Sequence, residues 1–179
     1  DAVDWGYTPV GYFGVDERFG NRCDFQEFVD QAHKLGIAVL VDAIYGHTSG
    51  LFAFEYLYSR LGISNPLMGS FAADMFGAST DWNKELTQNF FYTVNKHWIE
   101  KYHVDGFRYD CVPNYWDPVN SKGYAAIAYY THQLVKAGVT ASNPDYSRFG
   151  DGQNRIRLIQ CAEQLEHVPE VLENTLSTC

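Results

Sequence analysis

Short apolar runs alternate with amphipathic helical segments along most of this chain, and that order leaves few folds open. Residues 37–41 (I-A-V-L-V) form a continuous apolar run, as expected for a parallel strand covered on both faces. Residues 24–35 before it carry apolar side chains at helical spacing, with Asp24 as the predicted N-cap and Gly36 as the C-terminal stop. Such alternation predicts an α/β fold with a parallel sheet, either doubly wound or a (β/α)8 barrel.

Two further helix–strand units follow, and their predicted bounds are 84–102 and 104–109, then 123–137 and 157–162. A last helix is expected to begin near Pro169, because proline is favoured in a first helical turn. The segment 46–83 is too long and too aromatic for a simple connection. Since parallel folds keep their binding sites in long loops that follow strands, we expect this segment to border the site.

The charge and composition exclude several classes of partner. The chain of 179 residues is 46% hydrophobic, which is enough for one packed domain over residues 1–179. Its formal net charge is −9 and its lysines and arginines do not cluster, so we expect neither a nucleic acid nor an anionic membrane as partner. It also lacks the run of about eighteen apolar residues that a spanning helix needs. A neutral carbohydrate is compatible with this charge, and nothing indicates the oligomeric state.

Four cysteines, Cys23, Cys111, Cys161 and Cys179, are widely spaced and form no C-x-x-C pair. This spacing excludes the common zinc patterns, so no metal site is predicted from them. Cys111 and Cys161 fall beside strands that we expect to be buried, which favours reduced core thiols over disulfides. A cytoplasmic location is the corresponding expectation.

Polar residues follow three of the predicted strands, where either parallel fold would place an active site. They are Asp42 and His47 after the first strand, Arg108 and Asp110 at the second, and Glu163 at the third. Arg108 and Asp110 are two residues apart on a strand, so their side chains share one face. The residues between and beside them, Phe107 and Tyr109, are predicted to point toward covering helices.

Two of these carboxyls are predicted to sit in unlike environments. An arginine beside Asp110 would lower the pKa of that carboxyl and keep it ionised, as a nucleophile requires. The apolar run before Glu163 would desolvate it and raise its pKa, as a general acid near neutral pH requires. A pair of this kind is the arrangement of glycoside hydrolysis.

The three segments resemble, in the right order, conserved regions of the α-amylase superfamily (glycoside hydrolase family 13). D-A-I-Y-G-H at 42–47 resembles D-x-x-x-N-H, and G-F-R-Y-D at 106–110 resembles G-x-R-x-D. Q-C-A-E at 160–163 resembles the segment that ends in the acid/base glutamate of that family. The resemblance implies part of a (β/α)8 barrel, roughly the second to the fifth of its eight strands with their helices.

Two other segments resemble particular groups within the superfamily. W-G-Y-T-P-V-G-Y-F-G at 5–14 and D-W-N at 81–83 resemble glycogen branching enzymes. Y-H-V-D-G at 102–106 is equally similar to maltooligosyl-trehalose trehalohydrolases. Trp82 is open to either interpretation, as a core residue or as a platform for a sugar ring.

The resemblance implies a retaining mechanism on α-1,4-glucans or maltooligosaccharides, with no cofactor. Asp110 would be the nucleophile and Glu163 the acid/base, with Arg108 positioning Asp110. Asp42 would support its strand end, and His47 would hydrogen-bond a sugar hydroxyl.

Three positions depart from, or refine, the pattern of the superfamily. Gly46 stands where α-amylases have an asparagine that helps to bind calcium, so no calcium is expected there. Phe13, or its neighbour Tyr12, aligns with a tyrosine that stacks on the sugar at the cleavage site.

The third carboxylate of the superfamily, which follows a later strand, has no counterpart in the sequence. We therefore expect the sequence to be part of a longer enzyme. Hydrolysis and branching transfer both stay open, and so does an alternative in which the chain is a non-catalytic amylase-like module for glycans or proteins, or an inactive fragment. A doubly wound nucleotide-binding protein is disfavoured because no Gly-rich phosphate loop follows the first strand.

Overall fold

The computed structural model of the chain describes residues 5–71, 76, 78–117, 120, 122–153, 155–165, 169 and 173. Within them the helices are α1 (Arg22–Lys34), α2 (Ala53–Leu61), α3 (Glu85–Tyr102) and α4 (Tyr124–Thr140). The strands are β1 (Leu40–Ala43), β2 (His47–Thr48), β3 (Ala78–Ser79), β4 (Gly106–Tyr109), β5 (Trp116–Asp117), β6 (Lys122–Gly123) and β7 (Ile159–Ala162). The final helix predicted near Pro169 lies almost wholly outside the described residues.

A parallel sheet with the strand order β1-β4-β7 forms the centre of the described part. Asp42 on β1 lies opposite Arg108 on β4, and Arg108 lies opposite Cys161 on β7. All three strands run in the same direction in register, so their carboxyl ends meet at one edge. The predicted parallel sheet with intervening helices is confirmed.

Helix α1 begins at a capping box rather than at the predicted residue. The side chain of Asn21 accepts from the backbone N–H of Cys23 at 2.8 Å, and the carboxylate of Asp24 accepts from the N–H of Asn21 at 2.7 Å. Asn21 is therefore the N-cap, and Asp24 occupies the third position of the first turn. The prediction of Asp24 as the N-cap was wrong, because both residues can cap and only geometry distinguishes them.

Strand β1 begins later than the apolar run predicts. The carboxylate of Asp105 accepts from the N–H of Val39 at 2.7 Å, and the carbonyl of Val39 accepts from the N–H of Asp105 at 2.8 Å. A side chain thus satisfies part of this backbone, and the ladder with β4 begins only at Leu40.

The core lies between the sheet and helices α3 and α4. Phe107 and Tyr109 are fully buried in it, so they face the helices as predicted. Trp82 is also fully buried, with its ring stacked between Phe91 at 5.2 Å and Tyr115 at 5.5 Å between ring centroids. Trp82 is a core residue and not a sugar platform.

The long segment after β1 contains structure that periodicity did not indicate, namely helix α2 and the antiparallel pair of β2 and β3. Gly46 at its start has no room for a side chain. A Cβ there would lie 2.8 Å from Nδ2 of Asn114 and 2.9 Å from the ring of Tyr115. The glycine is therefore required by the turn that follows β4. None of the helices in the described residues is long and apolar enough to cross a membrane.

The cysteines are less uniformly buried than predicted. Cys111 is buried, whereas Cys23 and Cys161 are exposed, and all three are free thiols. The expectation of a buried Cys161 was wrong, because β7 is an edge of the described sheet and Cys161 lies on the face of Arg108. Cys179 lies outside the described residues.

Candidate active site

One guanidinium connects the carboxylates at the carboxyl ends of the three parallel strands. Nη1 of Arg108 donates to Oδ1 of Asp42 at 2.6 Å and to Oδ1 of Asp110 at 2.8 Å. Its Nη2 lies 2.5 Å from Oε1 of Glu163. Because β4 lies between β1 and β7, its arginine reaches both neighbouring strand ends. The sequence-predicted Asp42, Arg108, Asp110 and Glu163 are thus brought together.

Asp110 is held firmly just beyond the end of β4. Its N–H donates to the carbonyl of Ala43 at 3.1 Å, and its side chain is only 9% exposed. Burial raises the pKa of Asp110 above its ordinary value, and the hydrogen bond and charge of Arg108 oppose that rise without cancelling it. The expectation of a lowered pKa was wrong, since it counted the arginine but not the desolvation.

Glu163 is anchored through its main chain and its carboxylate. Its N–H donates to the carbonyl of Tyr109 at 2.8 Å, and its Oε2 accepts from the N–H of Cys111 at 3.0 Å. The side chain is 30% exposed. Part of this carboxyl therefore stays in contact with solvent.

Cys111, whose N–H binds the carboxylate of Glu163, has an unusual backbone conformation. Its φ of 40° and ψ of 59° lie in the left-handed region, which a residue other than glycine seldom adopts. That turn ends β4 and aims the N–H of Cys111 at Glu163, on the neighbouring strand end. The strained residue thus links the two carboxyls that the sequence predicts to be catalytic.

A cleft of about 420 Å³ opens above these carboxylates, within the usual size for a small-molecule site. The residues that line it are Tyr7, Thr8, His47, Phe76, Asp110, Cys111, Glu163 and Leu165. Acidic groups therefore form its floor, while aromatic and aliphatic side chains form much of its wall. This mixture suits a sugar, which presents both hydroxyls and apolar C–H faces.

His47 lies in the wall of the cleft and is almost fully buried. Its Nε2 is 2.7 Å from the carbonyl of Tyr7, and because a carbonyl can only accept, Nε2 carries the proton. The imidazole also faces the ring of Phe76, with centroids 5.6 Å apart. Nδ1 is therefore the ring nitrogen left to accept a hydrogen bond.

Tyr7 is a site residue that the sequence interpretation missed. Its ring lies 5.8 Å from Cζ of Arg108, and its hydroxyl is 3.4 Å from Oδ2 of Asp42. The negative charge of Asp42 raises the pKa of the Tyr7 hydroxyl. Its position two residues before Pro9 in the opening motif was the available signal, but that motif holds two other tyrosine or phenylalanine candidates.

Those candidates, Tyr12 and Phe13, are not brought into the cleft. Tyr12 is 7% exposed, donates its hydroxyl to the carbonyl of His47 at 3.1 Å and packs edge-on against Phe91. Phe13 packs its ring against Phe90 on α3, with centroids 5.6 Å apart. The structure therefore does not place Tyr12 or Phe13 in this cleft, which is lined by Tyr7 instead.

Among the residues that the structure describes, no group of three or more His, Cys, Asp or Glu side chains is arranged to hold a metal ion.

Comparisons with known proteins match the chain to α-glucan enzymes. Residues 1–60 match the family described as "Alpha amylase, catalytic domain". The 1,4-alpha-glucan branching enzyme GlgB of Bacillus cytotoxicus is 38% identical over 124 residues, which are 63% of this chain and 18% of that enzyme. GlgB of Bacillus cereus strain AH820 is 35% identical over 124 residues, which are again 63% of this chain and 18% of that enzyme. The match thus spans less than one fifth of the length of these relatives.

Solved structures match nearly the whole chain at low identity. The type III pullulan hydrolase from Thermococcus kodakarensis gives a TM-score of 0.67 at 17% identity, over 95% of this chain and 29% of that one. The alpha-amylase from Geobacillus thermoleovorans gives a TM-score of 0.62 at 15% identity, over 97% of this chain and 36% of that one. These likenesses decide between the two parallel folds, and the chain has the fold of part of a (β/α)8 barrel.

Proposed function

The chain carries the motifs and part of the barrel fold of the α-amylase superfamily of glycosidases and transglycosylases, and on that premise we propose that it supplies the retaining catalytic pair of an α-glucan-active enzyme. Asp110 is the nucleophile and Glu163 is the acid/base. The observation that carries the proposal is the convergence of both carboxylates on Arg108 at the floor of one cleft.

The first chemical step transfers the glycosyl group to Asp110. An oxygen of its carboxylate forms a bond to the anomeric carbon, and the bond from that carbon to the leaving glycosidic oxygen breaks. Glu163 gives its proton to that oxygen, so the leaving glucan departs with a neutral hydroxyl. In the second step the Glu163 carboxylate takes a proton from an acceptor hydroxyl, which attacks the same carbon and releases Asp110.

The shared guanidinium supports a retaining rather than an inverting mechanism. Retaining enzymes hold their two carboxyls about 5 Å apart, whereas inverting enzymes leave room for a water between them at larger separation. Asp110 and Glu163 bind the two terminal nitrogens of Arg108 at 2.8 and 2.5 Å. Two carboxylates that share one planar fork in this way are near neighbours.

Arg108 has opposite effects on the two roles. It favours the ionised form of Asp110, which a nucleophile needs, against the burial that raises the pKa of that carboxyl. The same guanidinium also contacts Glu163, which must be protonated to act as an acid. A glucan that enters the cleft must therefore replace the Arg108 contact of Glu163 with its glycosidic oxygen.

The wall of the cleft supports a sugar as the ligand. The rings of Tyr7 and Phe76 are 40% and 49% exposed and both line the cleft, so each can pack on the C–H face of a sugar. His47 also lines the cleft, and its Nδ1 can accept from a sugar hydroxyl because Nε2 already binds the carbonyl of Tyr7.

Branching transfer, in which an α-1,4 bond is broken and an α-1,6 bond is made, is the finer assignment that we favour over hydrolysis. Both GlgB relatives described above are 1,4-alpha-glucan branching enzymes. The D-W-N segment at 81–83 points the same way, and so does Gly46, because branching enzymes also have glycine where α-amylases have the asparagine. Since Trp82 is buried, that segment would act by holding the loop and not by touching the glucan.

Amylose incubated with the full-length protein separates the two activities. A fall in iodine colour without new reducing ends indicates transfer, whereas a rise in reducing ends indicates hydrolysis. Asp110→Ala is the control, and it must abolish whichever change is seen. Unchanged amylose with the wild-type protein would contradict both assignments.

A further inference from the structure

A buried chain of side-chain hydrogen bonds runs behind the candidate site and is centred on Asn95. This residue of α3 is fully buried. Its Oδ1 accepts from the hydroxyl of Tyr45 at 2.7 Å. Its Nδ2 donates to the hydroxyl of Tyr109 at 3.1 Å and to that of Thr131 on α4 at 2.8 Å. All four side chains are buried, so water does not compete for these bonds.

The direction of the chain is fixed by main-chain carbonyls of α4. The carbonyl of Ala128 can only accept, so the Gln160 atom 3.0 Å away is its nitrogen. Oε1 of Gln160 must then accept from the hydroxyl of Tyr109 at 2.7 Å. Tyr109 has used its one proton, and therefore its oxygen accepts from the amide of Asn95.

The branch through Thr131 gives the same orientation independently. Its hydroxyl lies 2.7 Å from the carbonyl of Ile127 and donates to it, so its oxygen accepts from Asn95. Both amide protons of Asn95 and its carbonyl oxygen are then used. No other side chain of this size offers one acceptor and two donors in a plane.

Tyr109 on β4 and Gln160 on β7 are members of this chain, and so is Tyr45, two residues after the end of β1. The pairs of network residue and site residue are Tyr45 with His47, Tyr109 with Asp110, and Gln160 with Glu163. Network and site residues are one to three positions apart along the chain, so a shift of the backbone at a network residue carries the site residue with it.

We propose that Asn95 is a positioning residue that fixes the three strand ends relative to one another and thereby sets the separation of Asp110 from Glu163. The proposal rests on the proposed function, because that separation matters only if the two carboxyls react with a glucan. The helices α3 and α4 act as the common frame, since one holds the hub and the other holds both terminal carbonyls.

Two matched variants separate positioning from ordinary core stability. Tyr109→Phe keeps the ring but cuts the chain between Asn95 and Gln160. Thr131→Val also removes one buried hydrogen-bond acceptor of Asn95. It leaves intact the hydrogen bonds that join Tyr45, Asn95, Tyr109 and Gln160. Asn95→Leu, which has the same branched arrangement of heavy atoms but larger methyl groups, removes the hub.

Amide hydrogen exchange on the folded full-length protein gives a test that needs no activity. The reporters are the N–H groups of Asp110, Cys111 and Glu163, which bridge the strand ends. We expect these protons to exchange roughly tenfold faster in Tyr109→Phe and Asn95→Leu, and to change less than twofold in Thr131→Val. Equal acceleration in Tyr109→Phe and Thr131→Val, or none in either chain-cutting variant, would overturn the proposal.

Turnover of an α-glucan adds a second readout. Misplaced groups cost up to about 10²-fold in rate, so kcat should fall about 10- to 100-fold in Tyr109→Phe with little change in KM, and stay near wild type in Thr131→Val. If the wild-type protein does not act on α-glucans, the proposed function fails. The exchange comparison still decides the role of Asn95 in that case, because Tyr109→Phe and Thr131→Val are compared without substrate.

Discussion

Nη1 of Arg108 lies 2.8 Å from Oδ1 of Asp110, and this contact opposes the burial that raises the pKa of the carboxyl. Removal of the guanidinium would leave the burial and the charges of Glu163 and Asp42, all of which raise that pKa further. Loss of Arg108 would therefore raise the pKa of Asp110 further.

Arg108→Gln should lower kcat/KM about 100-fold or more and shift the acidic limb of the pH profile to higher pH. The sign follows because a nucleophile with a raised pKa becomes ionised only at higher pH. Steady-state rates on a maltooligosaccharide from acidic to neutral pH give the profile. Arg155→Gln, at an arginine that is 76% exposed and pairs with Asp151, is the control and should leave the profile unchanged. An unshifted acidic limb in the Arg108 variant would refute the pairing.

Glu163→Gln should slow the reaction of each substrate in proportion to how strongly its leaving group needs a proton. With an α-glucan, whose leaving group is a sugar hydroxyl, the rate should fall about 10²- to 10⁴-fold. With an activated aryl α-glucoside, whose leaving group departs as an anion, the first step should be nearly unaffected. Burst kinetics on both substrates measure the difference. Equal losses on both would argue against Glu163 as the acid, and Glu85→Gln, far along the chain on α3, should change neither.

Replacing Tyr7 by alanine should weaken substrate binding, whereas replacing Tyr12 by alanine should lower stability. Tyr7→Ala removes a cleft wall, so KM should rise about tenfold while the free energy of unfolding stays nearly constant. Tyr12→Ala opens a cavity in the aromatic core and should cost about 3–5 kcal/mol of stability, as buried aromatic truncations do. Chemical denaturation and steady-state kinetics distinguish the two. A raised KM in a stably folded Tyr12 variant would restore Tyr12 as a substrate-binding residue.

Gly46→Ala should destabilise the chain by about 1–3 kcal/mol, the usual cost of overpacking. Its Cβ would lie within 2.9 Å of both Asn114 and Tyr115, and both of these side chains are themselves fully buried. Gly50→Ala is the matched control, since a Cβ there meets no atom within 4 Å. Urea midpoints of the two variants provide the comparison. Equal midpoints would mean that Asn114 and Tyr115, in the turn after β4, can move aside for a Cβ at residue 46, and they would contradict the prediction.

The polar strand ends were predictable because strand geometry is regular. Side chains two apart on a strand share a face, and parallel strands end at one edge, so the sequence alone places Arg108, Asp110 and Glu163 together. Helix α3 was also predicted within one residue of its start, since its apolar spacing continues over five turns. Asn95 lies in the interior of this helix, however, and the sequence gave no sign of the hydrogen bonds that its side chain makes.

The opening motif was not predictable in the same way. Residues 5–21 form no helix or strand, so no periodicity tells which of Tyr7, Tyr12 and Phe13 points inward. The pKa of Asp110 was misjudged for a related reason. The neighbouring arginine is visible in the sequence, whereas the desolvation that outweighs it depends on residues brought in from other strands.

Capture of the covalent intermediate tests the central claim most directly. A fluorinated α-glucosyl fluoride, whose electron-poor ring slows both steps and whose good leaving group favours the first, should accumulate as a glycosyl ester on the full-length protein. Peptide mass spectrometry should then place the added sugar on Asp110, and Asp110→Ala should carry none. A protein that turns over α-glucans with no sugar on Asp110, or with the sugar on another residue, would contradict the assignment.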